Sequence, residues 1–201
     1  MNSSRLRRLT APSIAVVAAI SLAACGGSSS TTSSTGSTTG ASGSTLPLNV
    51  IVPLSVVHRY FPEITQQSST GPNASAIGKP TGTRQAIYAN GDGSKKITLS
   101  VDQYASASDA SSGYRQAVQG SQSAPGAKPA PPPSDLGQQA FAGTSQVGTE
   151  MHFGLGVLDG QLIVAATYAD FPVTPDNSAN LVALTGMEDA AAKQVLGAGA
   201  G

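Results

Sequence analysis

Glu150 and His152 are the first residues to consider for chemistry, because the chain has only two histidines. The two residues are two positions apart in a segment that alternates like a β-strand, so their side chains share one face. They could bind a metal ion together, but a zinc site needs at least three protein ligands and no third partner is evident. The other histidine, His58, lies near the polar side of a predicted helix. We interpret both histidines as surface or hydrogen-bonded side chains and predict no metal site.

Three further segments resemble catalytic motifs but lack an essential position. Gly143–Val147 reads GTSQV, whereas the nucleophile elbow Gly-x-Ser-x-Gly ends in glycine. Residues 91–96, GDGSKK, lack the spacing of a phosphate loop and lie between predicted strands, so we predict a hairpin turn there. The acidic pair Glu188-Asp189 is predicted to lie on the solvated face of the last helix. We predict no catalytic residue and no cofactor.

Cys25 is the only cysteine, and it follows a segment with the three parts of an export signal. Arg5, Arg7 and Arg8 form a positive start, and an apolar stretch from Thr10 to Ile20 follows. That stretch is shorter than the roughly 20 residues that a membrane-spanning helix needs. We therefore predict an export signal over residues 1–24.

The segment Leu22-Ala23-Ala24-Cys25-Gly26 resembles the lipobox of bacterial lipoproteins. The resemblance implies that the signal is removed before Cys25 and that this residue receives a diacylglyceryl group and fatty acids such as palmitate. Two chains together give a stable membrane anchor, whereas one holds weakly. An ordinary secretory signal is the alternative interpretation. The Arg7-Arg8 pair leaves twin-arginine export open beside the Sec route.

Residues 25–45 are predicted to form a disordered tether after the lipidated cysteine. Gly26–Ser44 is almost entirely Ser, Thr and Gly, which cannot bury enough apolar surface to offset chain entropy. The formal net charge of the chain is zero, and without Arg5, Arg7 and Arg8 the acidic residues outnumber the basic ones. We therefore predict that the protein does not bind nucleic acid.

Residues 46–201 are predicted to form one exported domain of the α+β class. An N-terminal helix around residues 53–64 is followed by two units, each a β-hairpin and then a helix. The hairpins turn at residues 90–93 and 159–160, and their helices begin after Ser106 and Thr174. Between the units, residues 120–134 are proline-rich and are predicted to be a stiff loop or, alternatively, a docking segment. The simplest assembly is a twisted antiparallel sheet with helices packed on it.

Three stretches of the sequence follow one another in an order that resembles that of actinobacterial envelope lipoproteins. They are ITLSVDQYASASDASSGY, DLGQQAFAG and LDGQLIVAATY. Some of these have a fold similar to the PsbP family. The resemblance implies a non-catalytic domain on the extracytoplasmic face of the cell membrane. We predict that it binds a small ligand, a lipid or an envelope protein. An anchored envelope hydrolase and a structural accessory of a membrane complex are the alternatives.

One further hypothesis concerns an apolar pocket. Tyr60 and Phe61 are adjacent on the first predicted helix, so both cannot face the core. One of them, together with the apolar strand Leu162–Ala166, could border a pocket for a lipid or small ligand. The simpler interpretation is that the two rings pack against different neighbours.

Overall fold

The structure is a computed structural model, and it describes residues 43–197. The predicted signal peptide, Cys25 and most of the predicted tether lie outside this range. Within it, three α-helices and one eight-stranded sheet confirm the predicted α+β class. The helices are α1 (Leu54–Tyr60), α2 (Ala107–Ser123) and α3 (Pro175–Leu196), and a 3-10 helix covers Leu48–Val50. The strands are β1 (Ser44–Thr45), β2 (Gln66–Gly71), β3 (Gly82–Ala89), β4 (Lys96–Gln103), β5 (Lys128–Ala130), β6 (Gln139–Val147), β7 (Glu150–Asp159) and β8 (Leu162–Ala169).

The sheet is antiparallel apart from one short pairing. Its strand order is β1-β3-β4-β8-β7-β6-β5, and β2 also pairs with β3. The exception is β1, which runs parallel to the start of β3. The two predicted hairpins are β3–β4 and β7–β8, and their second strands pair with each other at the centre of the sheet. The central position of β8 explains its continuous apolar sequence, because both of its faces are covered over part of its length.

The ends of the helices follow capping signals in the sequence. The Ser106 hydroxyl accepts a hydrogen bond from the backbone N–H of Asp109 at 3.1 Å and donates to its carboxylate at 2.7 Å. The Thr174 hydroxyl accepts from the N–H of Asn177 at 3.2 Å, and Pro175 occupies the first turn of α3. The first helix ends at Tyr60, because Phe61 precedes Pro62 and the residue before a proline disfavours helical geometry.

The helices lie on both faces of the sheet. Helices α1 and α3 cover one face, where an aromatic cluster joins β7 and β8 to the end of α1. In that cluster the Phe61 ring lies 5.1 Å from Phe171 and 6.3 Å from Tyr168, centroid to centroid. Helix α2 covers only one end of the opposite face, with Ala110 and Tyr114 packed on the sheet. Within residues 43–197, no helix covers the rest of that second face.

Three short strands were not predicted. Ser44–Thr45, at the end of the predicted tether, pairs with β3, and Gln66–Gly71 forms an edge strand whose residues are almost all exposed. The proline-rich segment contains Lys128–Ala130, which pairs with β6, and α2 extends to Ser123. Strands β2 and β5 lack apolar alternation because they lie at sheet edges, where packing does not select apolar side chains.

Candidate functional site

The uncovered part of the second sheet face forms a large groove. It has a volume of about 1410 Å³ and lies on the residues of β4, β8, β7 and β6 that point away from α1 and α3. The end of α2 and the segment after it form one wall. The loop that includes Asn73, Ser75 and Ile77 also borders the groove. Ligand-binding clefts in proteins have this order of volume.

The floor of the groove consists of two rows of residues that run across the strands. The first row pairs Gly143 with Gly154, Gly154 with Thr167, and Thr167 with Thr98. The second row, nearer α2, is made of Phe141, Gly156, Ala165, Ser100 and Gln85. Because most of these side chains are small, the floor is a furrow that presents hydroxyl and methyl groups without a formal charge.

The glycines of the floor have different neighbours. A Cβ atom on Gly156 would lie 2.9 Å from Cζ of Phe141, so the phenyl ring of Phe141 fills the space above Gly156. The same ring packs edge-on against Tyr114 of α2, at 5.7 Å between centroids. A Cβ atom on Gly154 would meet only a methyl carbon of Thr167, at 3.3 Å. The open furrow is therefore deepest over Gly154.

Asp102 is a buried carboxylate at the end of the groove near α2. It is only 6% exposed, and the side-chain amide nitrogen of Asn73 donates to both of its oxygens at 3.0 Å. Burial raises the pKa of Asp102 to about 7, and the Asn73 hydrogen bond opposes this shift only in part. Two further hydrogen bonds fix the position of Asn73. Its backbone N–H donates to the hydroxyl of Thr83, and its side-chain oxygen accepts from the N–H of Ser75.

His152 lies on the same sheet face, near the opposite end of the groove. Its Nε2 atom is 3.4 Å from Oε2 of Glu150, so the two side chains meet as their spacing predicted. His152 also lies opposite Ser145 in the β6–β7 register. Its Nε2 atom is buried and makes no hydrogen bond within residues 43–197. Asp102 and His152 pair with Ile163 and Ala169 of β8, so they are on the order of 20 Å apart along the strand.

In the described lining of the groove, the other ionisable side chains are those of Tyr104 and Lys128. Among the described residues, no group of three or more His, Cys, Asp or Glu side chains could hold a metal ion. His58 does not line the groove, and its Nδ1 lies within hydrogen-bond distance of the carbonyl oxygen of Ile64, at 2.8 Å. Residues 91–96 form the predicted hairpin turn, in which the carboxylate of Asp92 accepts from the N–H and hydroxyl of Ser94.

The predicted solvated face at Glu188-Asp189 was wrong. Glu188 is fully buried and Asp189 is 6% exposed, on the side of α3 that faces the sheet. Burial raises the pKa of Glu188 well above its ordinary value, and repulsion from Asp102 and Asp189 adds to the shift. The apolar pattern of α3 did not reveal its inner face because alanines occur all around the helix.

The groove is not the pocket that the sequence suggested, because neither Tyr60 nor Phe61 lines it. Phe61 is buried in the core beneath α1, on the face opposite the groove. Of the apolar strand Leu162–Ala166, only Ile163 and Ala165 line the groove, because successive residues alternate between the two faces.

The sequence analysis did not single out Asp102 or Asn73. One available signal was the position of Asp102 in the alternation of β4, where Ile97, Leu99 and Val101 face the core and Asp102 faces the other side. That pattern predicts a solvated side chain. The loop that contains Asn73 packs against it instead, and 29 residues separate the two positions.

The fold defines the chain as an α+β domain with a largely antiparallel sheet. It is similar to the crystal structure of the extracellular domain of PknH from Mycobacterium tuberculosis, with a TM-score of 0.51 and 8% sequence identity. The similarity covers 70% of this chain and 93% of that chain. No protein-family model matches the sequence, and no curated protein matches it significantly. At this identity the similarity shows the fold alone.

Helices in the described part of the chain do not reach the length and hydropathy that a membrane span requires.

Proposed function

We propose that the protein is a lipid-anchored component of the cell envelope whose globular domain binds a small ligand in the groove. The observation that carries this proposal is the furrow across β4, β8, β7 and β6, which none of the described helices covers. A binding module needs a cavity with a few polar groups, and the groove has hydroxyls on its floor and Asp102 at one end.

The distribution of ionisable groups favours binding over catalysis. Asp102 and His152 lie far apart along the groove, so they cannot act on one reacting atom. The remaining basic group of the lining, Lys128, is on an exposed edge strand. A structural accessory protein, the other alternative, would not require a cavity of this size.

Native mass spectrometry of the full chain, purified from its own host, tests ligand binding. We expect a non-covalent adduct on the wild type that is lost from Thr98→Phe, since a phenyl ring at Thr98 would fill the furrow. Gln67→Phe, on the exposed face of β2, is the matched control and should keep the adduct. A wild type without any adduct, or an adduct that survives Thr98→Phe, would refute the groove as the binding site.

The membrane anchor is a separate part of the proposal and rests on the lipobox-like segment Leu22–Gly26. We expect labelled palmitate to be incorporated into the wild type in its host and not into Cys25→Ser. We also expect the wild type to be recovered in the membrane fraction. Equal labelling of both proteins, or recovery of the wild type only in the culture fluid, would argue for an ordinary secretory signal.

A second candidate function, an envelope hydrolase, is favoured by one observation. Glu150 lies 3.4 Å from His152, and the register places the Cβ of Ser145 about 5 Å from that of His152. This set has the residue types of a nucleophile, a base and an orienting carboxylate. A fluorophosphonate probe tests it: labelling of the wild type that Ser145→Ala abolishes would support hydrolysis, and no labelling would count against it.

A further inference from the structure

We propose that the groove takes a ligand with a cationic ammonium group on an apolar body, and that Asp102 binds the ammonium group. The inference rests on the proposed function, because it names the chemical class of the ligand for the same groove.

Asp102 has no cationic partner in the described part of the chain. Its only side-chain partner is the neutral amide of Asn73, and none of the salt bridges of residues 43–197 includes it. A buried carboxylate that is not paired with a cation is costly, and proteins normally supply a partner. Here the side chain lines an open groove, so a bound ammonium group can be that partner.

The surroundings of Asp102 suit an apolar body next to the ammonium group. Tyr104 and Ile163 lie beside it on the sheet, and both are almost fully buried. Phe141 and Ala165 continue the lining toward the furrow. An anionic ligand would be repelled by the carboxylate of Asp102, and the single Lys or Arg of the described lining, Lys128, lies four strands away on β5.

Binding of an ammonium group should depend on pH. The pKa of Asp102 is about 7, so the carboxylate is mostly ionised at pH 8 and mostly protonated at pH 6. The charged or titratable groups that interact with Asp102 are Tyr104 beside it and Glu188 on α3 behind the sheet. A negative charge on Tyr104 or Glu188 would also attract the ammonium group of the ligand. We expect affinity to fall about tenfold between pH 8 and pH 6.

Three probes of matched shape test the inference: 2-phenylethylammonium, 2-phenylethanol and 3-phenylpropanoate. Their binding to the full chain in lipid nanodiscs can be measured by saturation-transfer NMR, with empty nanodiscs as the blank. At pH 8 we expect the ammonium probe to bind at least tenfold more tightly than the other two. Asp102→Asn should remove this preference, whereas Asp135→Asn, an exposed carboxylate outside the groove, should keep it.

Two results would overturn the inference. Equal or tighter binding of the alcohol or the carboxylate would show that Asp102 does not select a cation. If Thr98→Phe blocked that binding, the groove would remain a ligand site. Absence of binding by all three probes would also reject the ammonium inference, and the native mass spectrometry experiment would then decide the proposed function separately.

Discussion

Asn73 and Asp102 are joined by one amide nitrogen that donates to both oxygens of the carboxylate, at 3.0 Å each. The contact fastens the loop between β2 and β3 to the central strand β4. It also leaves a carboxylate buried with a neutral partner, where a cation would normally be expected. This pair therefore links the stability of the domain to the chemistry of the groove.

The first prediction concerns Asp102 and the pH dependence of stability. The folded-state pKa, about 7, is above the ordinary value of 3.8, so the folded state binds the proton more tightly. The ionised carboxylate of Asp102 therefore destabilises the folded state. This effect is absent below about pH 4, grows as the pH rises and is complete above about pH 7. We expect Asp102→Asn to raise the free energy of unfolding at pH 8 by at most about 4 kcal/mol.

Urea denaturation of the full chain at pH 5 and pH 8 measures this effect. The gain from Asp102→Asn should be smaller at pH 5 than at pH 8. The control Asp135→Asn should follow the wild type at both values. A gain that is independent of pH would mean that Asp102 is not the titrating group.

A second prediction concerns Glu188, whose two carboxylate oxygens are buried without a hydrogen-bond partner within residues 43–197. Its pKa is raised well above the ordinary value of 4.5, so the folded state loses stability relative to the unfolded state as the pH rises above that ordinary value. We expect Glu188→Leu to raise the free energy of unfolding at pH 8 by about 1–3 kcal/mol. Gln194→Leu, on the exposed side of α3, is the control, and urea denaturation is the measurement. Destabilisation by Glu188→Leu would indicate that the carboxyl has a structural role.

The hairpins, capped helices and central strand were predictable because their signals are local. The turn at Asp159–Gly160, the cap at Ser106 and the apolar run of β8 each depend on neighbouring residues. The edge strands β2 and β5, the buried side of α3 and the Asn73–Asp102 contact were not predictable. Each depends on which distant segment packs there, and neither the polar composition of β2 and β5 nor the evenly spread alanines of α3 give a sign of it.

The third prediction concerns Gly113, which lies in the middle of α2. Replacing a helical glycine by alanine normally stabilises a helix by about 1 kcal/mol. Here the new Cβ would lie 2.8 Å from the hydroxyl oxygen of Tyr104 and 3.1 Å from its Cζ. We expect Gly113→Ala to lower the free energy of unfolding by about 1–3 kcal/mol, because the ring is buried and cannot move freely. Thermal unfolding measures it.

Gln116→Ala, on the exposed side of α2, controls for helix propensity and should leave the stability nearly unchanged. A more stable Gly113→Ala would show that α2 can shift away from the sheet.

The fourth prediction concerns Lys193, which forms ion pairs with Asp159 at the end of β7 and with Asp189 one turn before it on α3. The ammonium group of Lys193 donates hydrogen bonds to both carboxylates, which raises the pKa of Lys193, and burial opposes the shift. We expect Lys193→Met to lower the free energy of unfolding by about 1–3 kcal/mol, because the buried carboxyl of Asp189 loses its cation. Chemical denaturation at pH 7 measures the loss.

In the double variant Lys193→Met/Asp189→Asn, part of this loss should be recovered. If the double variant recovers no stability, the loss in Lys193→Met comes from the contact between Lys193 and Asp159.

The most direct test of ligand binding on the open sheet face is methyl NMR of the full chain in nanodiscs, with an envelope extract of its own host added. If a ligand binds in the furrow, we expect the methyl signals of Thr98, Ala165 and Thr167 to shift. The methyl signal of Ala190, on the exposed side of α3, should not shift. Unchanged furrow signals, or shifts confined to α3, would contradict ligand binding in the furrow.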